Sequence, residues 1–281
     1  MMAVSEELKT LVAQLPDADG SGRYTENIDK DAIESTIAAI HKGGGPFVAG
    51  LVEMLDEPGT QENLKPHYAL HCLANHVLVI GDDQARQDLV RVLCDQLGDD
   101  QLATHNKEFL CQTLQWAGRQ EACEALGRCL HDEGLVEAAT MALVAIRQGA
   151  AETLRAALPD LQGKCRMHAL YALASLADPQ AAGDLRAALQ DEDREVRIAG
   201  GLGLAKLALP DSAPALLAAA DQAGGWERIQ QSHHCMLLAE SLLAADESAA
   251  AVKIYQHIRE TRDDDEAHLR HAAERALAEI G

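Results

Sequence analysis

The chain has 281 residues, 47% of them apolar and only 3% aromatic, with a net charge of −21 from 24 basic and 45 acidic side chains. That apolar content is ample for a buried core, and the scarcity of aromatics leaves Ala and Leu to pack it, which suits closely spaced helices and argues against a β-sandwich or barrel. The charge repels phosphate backbones and anionic lipid, so neither a nucleic acid nor a membrane is expected as partner without a strong basic patch, and none stands out in the sequence.

Residues 5–15 read as a short amphipathic helix, with Leu8, Leu11, Val12 and Leu15 on one face and Pro16 as its stop. The start, Met1 to Glu7, lacks a basic stretch and an apolar signal core, and no apolar run approaches a membrane span, so a cytoplasmic protein is expected. Asp17, Asp19, Ser21, the carbonyl of Arg23 and Thr25 then follow the first nine positions of an EF-hand calcium loop. The twelfth position should hold a bidentate Glu and holds Ile28 instead, so weak calcium binding or none is expected, the loop reads as a polar connector, and no cofactor is expected anywhere in the chain.

Residues 1–28 are thus expected to form a capping helix and an Asp/Gly-rich loop, with helix pairs from 29 to 281. Apolar spacing places the pairs at 31–41 and 47–55, 65–80 and 83–97, 104–117 and 119–131, and 135–147 and 150–161. Three more follow at 164–177 and 179–190, 194–208 and 212–222, and 226–243 and 247–261, with an unpaired helix at 266–280. The repeat is explicit in the middle of the chain. Leu154-Arg155-Ala156-Ala157-Leu158 returns 31 residues later as Leu185-Arg186-Ala187-Ala188-Leu189, and Ala172-Leu173 returns after another 31 as Gly203-Leu204. Such self-similarity marks helical pairs that bury a continuous core between neighbours.

The segment Cys165-Arg166-Met167-His168-Ala169-Leu170-Tyr171-Ala172-Leu173-Ala174-Ser175-Leu176-Ala177-Asp178-Pro179, followed by Leu185, Leu189, Asp191, Asp193 and Val196-Arg197, resembles the short bacterial HEAT-like repeat often named after the phycobilisome lyases. The resemblance implies an all-α, right-handed solenoid of about seven antiparallel helix pairs, of the HEAT or armadillo type. It leaves activity open, because one fold hosts binding modules and enzymes alike. A lyase-like enzyme acting on a tetrapyrrole or other ligand in the concave groove is the alternative it raises, and the shortage of aromatic contacts counts against it. HEAT-type deoxyhypusine hydroxylases carry repeated His-Glu motifs, and this sequence has no His-Glu dipeptide. HEAT-like DNA glycosylases conflict with the net charge.

Candidate chemistry is sparse. His67 and His71 share a helical face at metal-ligand spacing, with His76 nearby, yet no acidic partner follows the pattern of a metal site; they read as ordinary repeat histidines, with His71 outward and Cys72 and His76 inward. The seven cysteines include no Cys-x-x-Cys, and Cys111, Cys123 and Cys129 read as small core residues. Ser232 and His233 project in different directions from one helix, and Gly200-Gly201-Leu202-Gly203 sits inside a helix, where small residues permit close packing.

The surface therefore carries the functional expectation. Arg155 and Arg186 repeat at one point of successive second helices, and Asp83, Asp88, Asp95, Glu121, Glu124, Asp184, Asp191 and Glu192 are expected to line an acidic groove around them. Trp116 and Tyr171 fall at outward positions of the first helices. The expectation is a non-catalytic scaffold that binds a protein or peptide, basic in character. In its core Leu143, Leu158, Leu173, Leu189 and Leu204 are buried, while Arg155 and Arg186 stay accessible.

Overall fold

The computed structural model describes residues 4–19 and 28–280, and every regular element among them is a helix. α1 (Glu6–Ala13) precedes seven pairs, each with a first or A helix and a second or B helix. They are α2 (Lys30–Lys42) and α3 (Gly44–Glu53), α4 (Gln61–Val79) and α5 (Asp83–Leu97), α6 (Thr104–Ala117) and α7 (Cys123–Cys129), and α8 (Val136–Ile146) and α9 (Ala150–Ala157). Then come α10 (Gly163–Leu176) and α11 (Ala182–Ala188), α12 (Arg194–Leu207) and α13 (Ala213–Gln222), α14 (Gly225–Ala244) and α15 (Ser248–Thr261), and the closing α16 (Ala267–Ile280). The fold is the all-α solenoid type expected, and it divides into two compact units, Met1–Thr153 and Leu154–Gly281.

Within the first unit A helices pack on A helices (α2 on α4, α4 on α6, α6 on α8) and B helices on B helices (α3 on α5, α5 on α7). Leu8, Val12 and Leu15 of the N-terminal segment are buried, and α1 packs against α2, α3 and α4. Two helices start three or four residues earlier than the sequence expectation. α3 begins at Gly44, so Pro46 lies in its first turn, where the missing N–H would have had no helical partner. α4 begins a turn early and takes in the buried Pro66, and the Asn63 side chain ties its start by accepting from the Asp56 amide at 2.9 Å. Asp17 pairs with Lys65 at 2.8 Å, whereas Ser21, Arg23 and Thr25 of the calcium-type loop lie outside the described residues.

The second unit is more regular. Leu158, Leu173, Leu189 and Leu204 are all buried, as is Leu143 in the first unit. α12 lies close against α11 and α14 because of its glycines: a Cβ at Gly203 would collide with Leu185, and one at Gly201 with the Gln231 amide. α10 and α12 end on a residue in the left-handed region, Ala177 and Ala208, both at φ 52°, and α8 of the first unit ends on Arg147 at φ 63°. That conformation reverses the chain toward the B helix, and it is strained for a residue with a Cβ.

A second device repeats with the leucines. Arg166, Arg197 and Arg228 lie 31 residues apart near the starts of α10, α12 and α14. Each reaches back to carbonyls at or just past the end of the preceding B helix: Arg166 to Leu158 at 3.1 Å, Arg197 to Asp191 at 2.8 Å, and Arg228 to Ala220 at 3.2 Å. Each also pairs forward with a carboxylate, namely Asp191, Glu227 and Glu266. A guanidinium can satisfy orphan helix carbonyls and hold a carboxylate at once, because it has five donors in one plane. Its hydrogen bonds to Glu227 hold the Arg197 pKa up and that carboxyl below its usual range.

Candidate binding surface

The B helices of the first unit form an open groove of about 720 Å³ between α5 and α7. Asp88, Asp95, Glu121 and Glu124 line it together with Arg91 and Arg128, and Val90, Cys94 and Ala125 supply its apolar surface. Four acids foreseen from the sequence are therefore brought together. They are not bare: Arg91 pairs with Asp88 at 3.0 Å, Arg128 with Glu124 at 3.1 Å, and Arg86 with Glu121. The fifth foreseen acid, Asp83, pairs with both Arg86 and Arg119, and its hydrogen bond from Arg86 lowers its pKa. Asp95 has no ion-pair partner among the described residues.

Asp184, Asp191 and Glu192 belong to the second unit, on α11 and the turn after it. Asp191 is held by Arg166 at 3.2 Å, while Asp184 and Glu192 make no ion pair among the described residues. Arg155 departs from the expected accessible groove position. It is half-buried and bound to Asp178, 2.8 Å away in the turn after α10. Arg186 stays exposed and donates to the Asp211 carbonyl at 3.4 Å, in the turn after α12. Both arginines thus brace one repeat against the next A-to-B turn, which the sequence could not show because those turns lie about 25 residues away. Tyr171 is half-buried rather than fully outward, and burial raises its phenol pKa. Trp116 is exposed, at 48%.

Residues 151–234 match the family model for HEAT repeats. That segment is built of HEAT-like repeats. No curated protein matches the sequence. Among solved structures, the HEAT-like chain superposes on the karyopherin Kap121p bound to the extreme C-terminus of the protein phosphatase Cdc14p with a TM-score of 0.53 and 11% identity, over 98% of this chain and 35% of that one. It spans about a third of that karyopherin, and likeness at this identity shows a common fold alone. An engineered protein is 20% identical at a TM-score of 0.42, covering 97% of this chain and 78% of its own. Human deoxyhypusine hydroxylase in complex with glycerol is also 20% identical, at 0.33, covering 99% and 96%. Those two likenesses are too loose to bear on function.

The histidines and thiols of the HEAT-like chain divide by surroundings. His76 is buried and meets Glu34 at 2.7 Å, as its inward position implied, whereas Cys72 is half-buried. His71 is half-exposed, edge-on to Trp116. Cys111, Cys123 and Cys129 are buried. Cys111 and Cys129 hydrogen-bond to each other, which raises the first thiol and lowers the second. Cys94, facing the B-helix groove, is pushed up to about 12 by burial and then by Asp95. No group of three or more His, Cys, Asp or Glu among the described residues is placed to hold a metal ion.

Proposed function

We propose that this chain is a non-catalytic scaffold for protein–protein interaction whose acidic surface captures a basic protein or peptide. The α5/α7 groove carries the reading: it is an open trough in which four carboxylates face two guanidiniums. Stacked helix pairs leave such troughs along their B helices, and a peptide can lie along one. The karyopherin that shares the fold is itself bound to the extreme C-terminus of a phosphatase, which supports a protein ligand for this architecture. Charge favours a basic one, given the net −21 and the carboxylates of Asp95, Asp184 and Glu192, which pair with no cation among the described residues.

The test is stopped-flow association of a fluorescein-labelled deca-lysine peptide with the whole chain. Rising salt should slow association more than it speeds release, and reversal of Asp95, Asp184 and Glu192 to Lys should slow capture about tenfold without lowering the melting temperature. Binding indifferent to salt and to these reversals would reduce the acidic surface to a solubility device.

A further inference from the structure

A pocket of about 300 Å³ adjoins the α5/α7 groove, between the α2–α3 turn and the first half of α5, and Gln84, Asp88 and Arg91 line both. Val48 of α3, Leu73 and Val77 of α4 and Leu89 of α5, all buried, give it an apolar wall. The α2–α3 turn leaves the space open, because Gly44 and Gly45 line it without side chains and a Cβ on Gly44 would meet nothing within 4 Å. Its charged lining reaches solvent: Asp88 pairs with Arg91 at 3.0 Å, and the exposed Asp82 has no ion-pair partner among the described residues. Directly after Val77 the chain exposes Leu78, Val79 and Ile80, Val79 at 85%, before it returns to the pocket at Asp82.

We propose that this pocket takes a leucine-sized apolar side chain from the basic peptide that lies in the α5/α7 groove. This rests on the basic-partner reading and names the anchor that such a partner inserts. Charge along a rim speeds capture but does little to slow release, and slow release comes from an apolar side chain buried in a pocket. The volume is at the small end for a ligand site and suits one side chain. A lysine or arginine head would lose its water against Val48, Leu73, Val77 and Leu89, and an anion would meet Asp82, Asp88 and a chain of net −21. An apolar side chain meets neither cost, and the exposed run at 78–80 offers its neighbours further apolar surface. The carboxylates of the adjoining groove are left for the basic residues on either side of the anchor.

The probes are two fluorescein-labelled peptides, one leucine between two runs of three lysines and its glycine counterpart, titrated by anisotropy against the whole chain. The leucine peptide should bind about tenfold more tightly, and that ratio should persist when added salt weakens both. Two variants fill the pocket from opposite walls: Ala85→Leu on α5, where Ala85 is half-buried in the lining, and Gly45→Leu on α3. In each the ratio should fall to about one while the glycine peptide binds as before, with melting curves as the folding control; either variant that folds suffices. Equal affinities for the two peptides in the unaltered chain would sink the anchor and leave the acidic-scaffold reading standing. A tenfold ratio that survives in folded Ala85→Leu or Gly45→Leu would place the leucine elsewhere and overturn the pocket. Competition by N-acetyl-leucine amide as strong as by the unlabelled leucine peptide would assign the pocket to a small apolar ligand instead. No anisotropy change with either peptide would remove both readings.

Discussion

The two units use one helical-pair plan for different ends. Residues 154–281 hold a regular register, with A helices tied to carbonyls at the ends of the preceding B helices by arginines 31 residues apart and glycines admitting close helix contact. Residues 1–153 carry −14 of the net −21, loops of uneven length, the groove and the pocket described above, and exposed Leu78, Val79, Ile80, Trp116 and Met141. Several of their ion pairs lie at the surface, as with Arg91 and Asp88, whose side chains are 68% and 47% exposed. The second unit also exposes Trp226 and Ile229, at the start of α14; the family model matches 151–234, while the binding proposals centre on the first unit.

The largest expected effect falls in the regular core. Leu173→Ala should lower stability by about 2–5 kcal/mol, since Leu173 is fully buried and the cavity cannot be refilled by neighbours in register. A urea midpoint unchanged by this substitution would break the contrast between the units.

Acid should come next, acting through His234. This side chain is buried on α14 beside Gln231, and desolvation, followed by the charge of His233, depresses its pKa from 6.5 to about 4. The unfolded chain therefore binds the extra proton first, so stability is full above about pH 6.5 and falls as pH drops toward 4, by about 3 kcal/mol in all. Urea melts at pH 7, 5.5 and 4.5 should show that slope, and His234→Gln should flatten it even if it lowers stability at pH 7.

Arginine replacement sharpens the comparison directly. Arg197→Ala removes a two-point contact to the largely buried Glu227 and leaves two carbonyls without their donor, for a loss of about 2 kcal/mol. Arg91→Ala, at an exposed pair, should lose less than about 1 kcal/mol. Because Glu227 has a depressed pKa, its pair contributes above the ordinary carboxylate range, and the Arg197→Ala deficit should shrink as pH falls through and below about 4.5. Equal losses for the two substitutions in chemical denaturation would erase the distinction.

The smallest effect has the opposite sign. Ala177→Gly should raise stability by about 0.5–1 kcal/mol, because glycine adopts φ 52° without the Cβ strain and loses only part of that gain through greater freedom in the unfolded chain. A lowered melting temperature would mean that the left-handed end of α10 is not strained.

Much of this was legible before the structure. Helix identity follows from apolar spacing and turn residues, so α6 and α5 lie where the spacing put them, and Arg147, Ala177 and Ala208, aligned by repeat counting, do end their helices. Arg166, Arg197 and Arg228 stood at a constant step of 31 and could have been found by the same counting. Arg155 and Arg186 misled for a physical reason: a repeated surface position shows that a side chain recurs, and says nothing of whether the next repeat already holds its charge.

The sequence by itself determined the helical class, the length of the repeat and the leucines of the core, because each depends on periodicity along one chain and on burial that any stacking must satisfy. Tertiary structure alone decided which charges pair and which stay free. Asp191 and Glu192 are adjacent and chemically alike, yet one is held by Arg166 and the other is open to solvent. The placing of His67 on Phe109 and His71 beside Trp116 was likewise decided across a helix interface, by contacts between residues about 40 positions apart, whose register depends on loop lengths and packing that no local pattern encodes.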